Sequence, residues 1–138
     1  MTIDQIERIA VENGVEISDV PLRDLRALCT PEGWIAIDAR KVETGAQEKT
    51  LLAHELGHFM TGSFYNIYTE FDSRAKHEYR ADKWAVHRLM PYEDIQAAIR
   101  SGVRNDWEMA EYFGVPCDFV EKARGIYKIA ELANEEKR

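Results

Sequence analysis

The segment LLAHELGHFM, residues 51–60, places two histidines four residues apart, with a glutamate directly after the first. On a helix, side chains four residues apart lie above one another on the same face, so His54 and His58 can bind one ion together. Glu55 lies about 100° round the helix from His54, which is too far for a third ligand from the same turn. This HExxH pattern predicts two imidazole ligands for a zinc ion and a general base, Glu55.

An HExxH pattern is short and also arises by chance in amphipathic helices that carry two histidines. A catalytic zinc ion needs three protein ligands and an open fourth position for a water molecule. The general base is required because that water must lose a proton to become a nucleophile. The choice between a zinc site and an ordinary helix therefore depends on whether a second element supplies a third ligand.

A helix predicted over residues 74–90 supplies such a ligand, because Glu78 and Asp82 lie four residues apart on one of its faces. Glu78 can be the third ligand. Asp82, one turn further along, can accept the free ring N–H of a ligand histidine and fix its tautomer. In one alternative Asp82 is the ligand and Glu78 is exposed. In another the whole face is solvated, since three basic residues lie nearby: Arg80, Lys83 and Arg88.

The start of the chain predicts a helix followed by a short sheet. The helix begins with a capping box of Thr2 and Gln5, and Gly14 supplies its stop. The apolar run GWIAID, residues 33–38, is typical of a strand that follows a Pro-Glu-Gly turn. The segments VEISDVPL and RDLRALCTPEG between them are ambiguous.

The helices around the HExxH motif have recognisable ends. The motif helix is predicted over residues 44–62, with a second capping box of Thr44 and Gln47. The next helix is expected to begin with Ser73 as its cap and to end before Pro91. Three further helices are predicted over the rest of the chain.

Size and charge limit the classes of protein that this chain can represent. Its 138 residues fit one domain, predicted as a core of residues 1–91 with a C-terminal helical segment of residues 92–138 packed on it. The net charge of −7 argues against binding nucleic acid by electrostatics alone, because neutralising phosphates needs an excess of Lys and Arg.

The compartment is predicted from what the sequence lacks. It contains neither a signal peptide nor an apolar run long enough to span a membrane. The two cysteines, Cys29 and Cys117, are far apart and are expected to be packing residues. We therefore expect a protein of the reducing cytoplasm that does not bind membranes.

Two stretches of the chain resemble the ImmA/IrrE-type zinc metallo-endopeptidases. The first stretch is HELGHFMTGSFYN, and the second is EYRADKWAVHRLMP. Members of the family have HExxH on one helix. A second helix follows with the pattern Glu-x-x-Ala-Asn/Asp-x-aromatic-Ala and ends in Leu-Met-Pro or close to it, which the two stretches resemble. The resemblance is strong over residues 33–91. The flanking segments share only the general arrangement of the family, with a helix and strand before this region and small helices after it. His87 departs from the family pattern, since many relatives have an acidic or small residue there, but it lies outside the motif.

The resemblance implies an α+β, minimal zincin-like metallopeptidase fold, with a small β-sheet beside the HExxH helix and additional C-terminal helices. It also implies that His54, His58 and Glu78 bind zinc and that Glu55 is the catalytic base. The expected activity is zinc-dependent cleavage of a protein substrate, by resemblance a repressor or regulator of a prophage or other mobile element. Manganese or another divalent ion is the alternative to zinc.

Three tyrosines could stabilise an oxyanion through a phenol O–H: Tyr65, Tyr68 and Tyr79. Each has a packing or loop role as its alternative. Tyr65 is the favoured candidate because it lies just past the motif helix.

The competing class is a regulator that binds metal without catalysis, or one that binds DNA through residues 107–124. The stretch WEMAEYFGVPCDFVEKA has small, turn and apolar residues at the positions of a helix-turn-helix motif: Ala110, Gly114 and Val120. Residues 103–124, however, contain five acidic and three basic side chains. A recognition helix needs basic or amide side chains for phosphates and bases, so direct binding of nucleic acid is not expected.

Overall fold

The computed structural model describes the backbone of residues 1–136 and the side chains of residues 1–131. Within this part of the chain, three strands and six α-helices follow one another, with one 3-10 turn at Ala39–Lys41. In chain order they are α1 (Ile3–Glu12), β1 (Glu16–Asp19), β2 (Ala27–Thr30), β3 (Trp34–Ile37), α2 (Gly45–Thr61), α3 (Phe71–Leu89), α4 (Tyr92–Arg100), α5 (Asp106–Phe113) and α6 (Cys117–Glu136). The predicted α+β class is confirmed.

The sheet has the order β1-β3-β2, so β2 lies at one edge. Strand β1 runs parallel to β3, and β2 runs antiparallel to it. The predicted strand over residues 33–38 is therefore the central one. The two ambiguous segments both form strands, because each pairs with β3 along four residues. Each strand has only four residues, and its side chains are only partly buried, so the sequence pattern of either segment does not indicate a strand.

The core joins the sheet to the helix that carries the HExxH motif. Ile35 and Ile37 of β3 belong to the same buried cluster as Leu52 and Leu56 of α2. Each such side chain contributes about 1.5–3 kcal/mol when it is fully removed from water. Helix α2 also contacts α3 over much of its length. The motif helix α2 is thus packed between the sheet and α3.

The cap predictions are confirmed at α1 and only partly at α2. At α1 the reciprocal capping box of Thr2 and Gln5 is present. At α2, Thr44 accepts the backbone N–H of Gln47, but the Gln47 side chain accepts the N–H of Glu43 instead of that of Thr44. The prediction of a second complete capping box was therefore wrong by one residue.

The predicted start of α3 was also wrong. The helix begins at Phe71, two residues before the expected cap Ser73, and its N-cap residue makes no side-chain hydrogen bond. The preceding turn is held instead by Arg74, whose guanidinium donates to the carbonyls of Ile67 and Thr69. Because these two hydrogen bonds fix the turn that leads into α3, the helix needs no cap at Ser73.

The C-terminal helices pack on the end of α3. The Tyr127 hydroxyl of α6 donates to the Met90 carbonyl at 2.6 Å. The division into residues 1–91 and 92–138 stays a prediction, and residues 137 and 138 lie outside the described part. Cys117 is exposed at the start of α6, so the expectation of a packing role was wrong for that residue. None of the helices described is both long and apolar enough to cross a membrane.

Candidate metal centre

The centre forms where α2 and α3 lie side by side. Both helices present small buried residues at this contact, Gly57 on α2 and Ala81 on α3. Because these residues allow a close approach, side chains one turn away on each helix converge. His54 and His58 point from α2 toward Glu78 of α3.

The three side chains predicted as ligands meet at one point. The Nε2 atoms of His54 and His58 lie 3.1 Å apart. Glu78 Oε2 lies 2.8 Å from His54 Nε2, and Glu78 Oε1 lies 3.3 Å from His58 Nε2. Ligand atoms around a tetrahedral zinc ion are separated by about 3.3 Å, given bond lengths near 2.0–2.1 Å. The spacing therefore fits a single ion held by these three groups.

Both imidazoles are oriented from behind by acceptors. His54 Nδ1 lies 2.7 Å from Asp82 Oδ1, and His58 Nδ1 lies 2.6 Å from the Ser63 carbonyl oxygen. An ionised carboxylate and a backbone carbonyl can only accept, so both Nδ1 atoms carry the donated proton. Each Nε2 then faces the common centre.

The acceptor of His58 was missed by sequence reasoning. Ser63 acts through its backbone carbonyl, and a backbone atom leaves no residue-type signal. Gly62 ends α2 in the left-handed conformation, with φ at +64°, and turns the chain back toward the helix. The sequence predicts that the helix ends near residue 62, but the direction of the following carbonyl depends on the three-dimensional structure.

The chemistry of the three converging side chains fits a bound cation. When both imidazoles are neutral and carry their protons on Nδ1, the lone pairs of the two Nε2 atoms face each other at 3.1 Å. A shared cation relieves that repulsion. Glu78 adds a negative charge on the same side, which makes the group suitable for a divalent ion.

The electrostatics of the centre also favour positive charge. Burial alone lowers the pKa of His54, but the hydrogen bonds to Asp82 and Glu78 outweigh it and raise that pKa to about 9. The hydrogen bonds from His54 and then His58 hold the pKa of Glu78 well below its usual range. Glu78 is thus an anion at neutral pH.

Glu55 lies beside the three converging groups but is not one of them. It is half-buried and lines the same cavity as His54, His58 and Glu78. Burial raises the pKa of Glu55, and the charge of Glu78 raises it further, while both histidines lower it. Glu55 thus lies beside the group without belonging to it, and its role as general base stays a prediction.

Tyr65 reaches the centre from the loop after α2. Its hydroxyl donates to Glu78 Oε1 at 2.8 Å. The ring stacks on His77, with 6.2 Å between the centroids, and the Arg74 guanidinium lies 5.7 Å from the ring centroid. The half-buried His77 therefore supports Tyr65 and does not point into the centre.

Two adjoining cavities open on either side of the centre, and His54, Glu78, Leu51 and Arg26 line both. The larger, of about 510 Å³, is bounded by strand β2, Glu55 and Tyr65. Cys29 of β2 lies in its wall, where burial raises the pKa of the thiol to about 12. Together the cavities form a cleft that passes across the three converging groups.

The smaller cavity, of about 330 Å³, is walled by α6. Four of its lining residues come from the C-terminal segment: Pro116, Asp118, Phe119 and Lys122. The Lys122 ammonium donates to Asp82 Oδ1 at 3.2 Å. Neither Arg26 nor Lys122 lies in a recognisable pattern, so sequence reasoning missed both.

The segment considered as a DNA reader has most of its candidate contacts engaged within the protein. Lys122 binds Asp82, and Arg124 forms an ion pair with Asp106 at 2.6 Å. Phe119 and Val120 are buried in the core. The helices α5 and α6 do form a pair joined by a tight turn at Gly114, whose φ is +66°.

One family model, Peptidase_M78, described as the IrrE N-terminal-like domain, matches residues 12–123. The match covers most of the chain and contains every residue of the candidate centre. No curated protein and no solved structure gives a significant match.

Proposed function

The chain belongs to the Peptidase_M78 family of IrrE N-terminal-like domains, and we propose that it is a zinc-dependent endopeptidase. The family is one of metallopeptidases, and its members act on protein substrates. The observation that carries the proposal is the convergence of His54, His58 and Glu78, whose ligand atoms lie within 4.8 Å of one another. Two imidazoles and one carboxylate are a ligand set used by catalytic zinc sites.

In this proposal each residue of the centre has one role. His54, His58 and Glu78 hold the ion, and Asp82 keeps the His54 Nε2 directed at it through the 2.7 Å hydrogen bond. Zinc is proposed over manganese because two of the three donors are imidazole nitrogens, which suit zinc. Manganese prefers sites in which most of the donors are oxygen atoms.

The reaction proposed is hydrolysis of a peptide bond. A zinc ion held by His54, His58 and Glu78 would supply Lewis acidity toward the scissile carbonyl and toward a water molecule. Glu55 accepts the proton of that water and later delivers it to the leaving amine. Tyr65 is the proposed donor to the developing oxyanion. Its hydroxyl lies at the centre, 2.8 Å from Glu78 Oε1, and its single proton would turn from that carboxylate to the oxyanion.

The substrate proposed is a repressor or regulatory protein of a prophage or other mobile element. The likeness of the two motif stretches to the ImmA/IrrE-type peptidases supports this class. The long cleft also suits an extended polypeptide, since its two cavities adjoin across the centre. The proposed site of action is the cytoplasm, where such repressors are found.

The test is incubation of the zinc-loaded protein with the repressor encoded nearest its gene. Wild type should produce two fragments, and mass spectrometry should locate one cleaved bond. Glu55→Gln should cleave at least ~10²-fold more slowly, the scale expected for a lost acid-base group. The exposed Glu43 near the start of the same helix provides the control, and Glu43→Gln should cleave at the wild-type rate. Equal cleavage by wild type and Glu55→Gln would contradict the proposed mechanism.

A second candidate is a metal-bound regulator that uses α5 and α6 to bind DNA. The tight Gly114 turn between the two helices favours it. The engagement of Lys122 and Arg124 by acidic partners argues against it. The two candidates differ in whether Glu55 is needed for activity.

A further inference from the structure

Lys122 of α6 contacts the same oxygen that orients His54. Its ammonium lies 3.2 Å from Asp82 Oδ1, and His54 Nδ1 lies 2.7 Å from that atom. These two contacts are the hydrogen bonds that the Asp82 side chain makes within the described residues. A continuous chain of contacts therefore runs from the C-terminal helix to one of the proposed ligands.

The pair of Lys122 and Asp82 differs from an ordinary surface ion pair. Exposed pairs contribute little, because water screens them and both side chains lose freedom. Here the Asp82 side chain is only 18% exposed, although Lys122 is 45% exposed. Asp82 is also already fixed by His54, so Lys122 binds a partner that is largely ordered. The contact can thus restrict the rotation of the carboxylate.

The packing of α6 holds Lys122 in place. Phe119, Ala123 and Ile126 lie on the buried side of the helix. Tyr127 is bound to the Met90 carbonyl at the end of α3, the helix that carries Asp82. The backbone on either side of Lys122 is therefore anchored to the structure around Asp82.

We propose that Lys122 is a positioning residue for the metal centre, acting through Asp82 on His54. Its ammonium holds the Asp82 carboxylate in the orientation that accepts the His54 Nδ1 proton. That hydrogen bond keeps Nε2 directed at the ion, so a change at Lys122 alters metal affinity without touching a ligand. This inference rests on the proposed function, since it requires the ion at His54, His58 and Glu78.

The test measures zinc affinity of the full chain by competition with a chromophoric chelator. Lys122→Met should weaken binding about 10-fold, the lower end of the range for partners behind a ligand. Lys122→Arg, which keeps the charge, should recover most of that loss. Lys128→Met changes an exposed lysine further along α6 and should bind zinc like wild type. In an Asp82→Asn background, Lys122→Met should cause no further loss, because the two residues act in series.

Several outcomes would overturn the proposal. They are wild-type affinity in Lys122→Met, a full additional loss in the Asp82→Asn background, and a Lys122→Arg variant as weak as Lys122→Met. Thermal melting of each metal-free variant separates a loss of affinity from a loss of folding. A wild-type chain that binds no zinc is a different result, because it contradicts the proposed metal site itself.

Discussion

Gly57 of α2 and Ala81 of α3 lie so close that no side chain fits between them. A Cβ atom placed on Gly57 would lie 2.6 Å from the carbonyl oxygen of Ala81 and 3.2 Å from its Cα. The contact sits between His54 and His58 on one helix and between Glu78 and Asp82 on the other. The distance between the proposed ligands therefore depends on this glycine.

We predict that Gly57→Ala destabilises the protein and weakens zinc binding. Helix propensity alone would favour alanine by about 1 kcal/mol. The clash with backbone atoms outweighs it, because overpacking of a tight contact costs about 1–3 kcal/mol. Urea unfolding and zinc titration measure the two effects.

The control is Gly125→Ala in α6, where an added Cβ has no neighbour within 4 Å. This variant should be as stable as wild type or more so, with unchanged zinc affinity. A Gly57→Ala protein with wild-type stability and zinc affinity would show that the close approach of α2 and α3 does not set the geometry of the centre.

The sequence predicts the part of the site that depends on spacing along a helix. His54 with His58, and Glu78 with Asp82, follow from the four-residue repeat that puts side chains on one face. What it could not predict depends on contacts between elements. The Ser63 carbonyl has no residue signature, and Lys122 lies 40 residues from the Asp82 that it binds.

The fold likewise has one part that local sequence patterns predict and another that depends on contacts between elements. The central strand and the helices have strong local patterns, so they were predicted from sequence. The edge strand β2 was ambiguous, because a four-residue strand depends on the pairing with β3 that stabilises it. Likewise, the early start of α3 is set by Arg74 contacting the preceding loop, which no capping rule covers.

Asp38 is a buried carboxylate that orders the loop leading to the cleft. It is 1% exposed and accepts the backbone N–H of Leu22 at 3.0 Å. The side-chain hydrogen bond from Arg40, and then the one from the Leu22 backbone, hold the pKa of Asp38 well below its usual range. Lys41 binds three carbonyls of the same loop, which precedes Arg26.

We predict that Asp38 contributes to stability at neutral pH and that acid removes its contribution. Its pKa in the folded state is lower than the value of about 3.9 in an unfolded chain. The contribution is therefore complete above that value and is lost as the pH falls toward the folded pKa. Asp38→Asn should be less stable than wild type at pH 7, and the difference should shrink below about pH 4.

Urea unfolding of the metal-free wild type and of Asp38→Asn across this pH range measures the difference in their stability. Protonation of the other groups affects both proteins alike and cancels in that difference. The exposed Asp24 of the same loop provides the control, and Asp24→Asn should change stability little at either end. A difference between wild type and Asp38→Asn that stays constant from pH 7 to the acid limit would contradict the prediction.

Lys49 links the motif helix to the C-terminal helices. Its side chain is 8% exposed, and its ammonium donates to the Phe113 carbonyl at the end of α5 at 2.7 Å. Lys49→Met keeps the aliphatic length but leaves that carbonyl without its donor, which costs about 1–3 kcal/mol. We expect a lower midpoint of urea unfolding. Lys76→Met, at an exposed position of α3, should leave it unchanged.

We predict no measurable binding of duplex DNA at physiological salt. The protein carries a net charge of −7, and Lys122 and Arg124 are already paired with Asp82 and Asp106. Fluorescence anisotropy with random duplex and with DNA flanking the gene tests this. Tight, sequence-selective binding that weakens steeply with salt would instead support the DNA-binding candidate.

Metal analysis of purified protein tests the central claim most directly, because the claim requires His54, His58 and Glu78 to hold one ion together. Wild type should contain about one zinc per chain. His58→Ala and Glu78→Ala should each lose most of it, whereas His87→Ala, at an exposed position outside the centre, should keep it. Full zinc content in both His58→Ala and Glu78→Ala would contradict the assignment of this site.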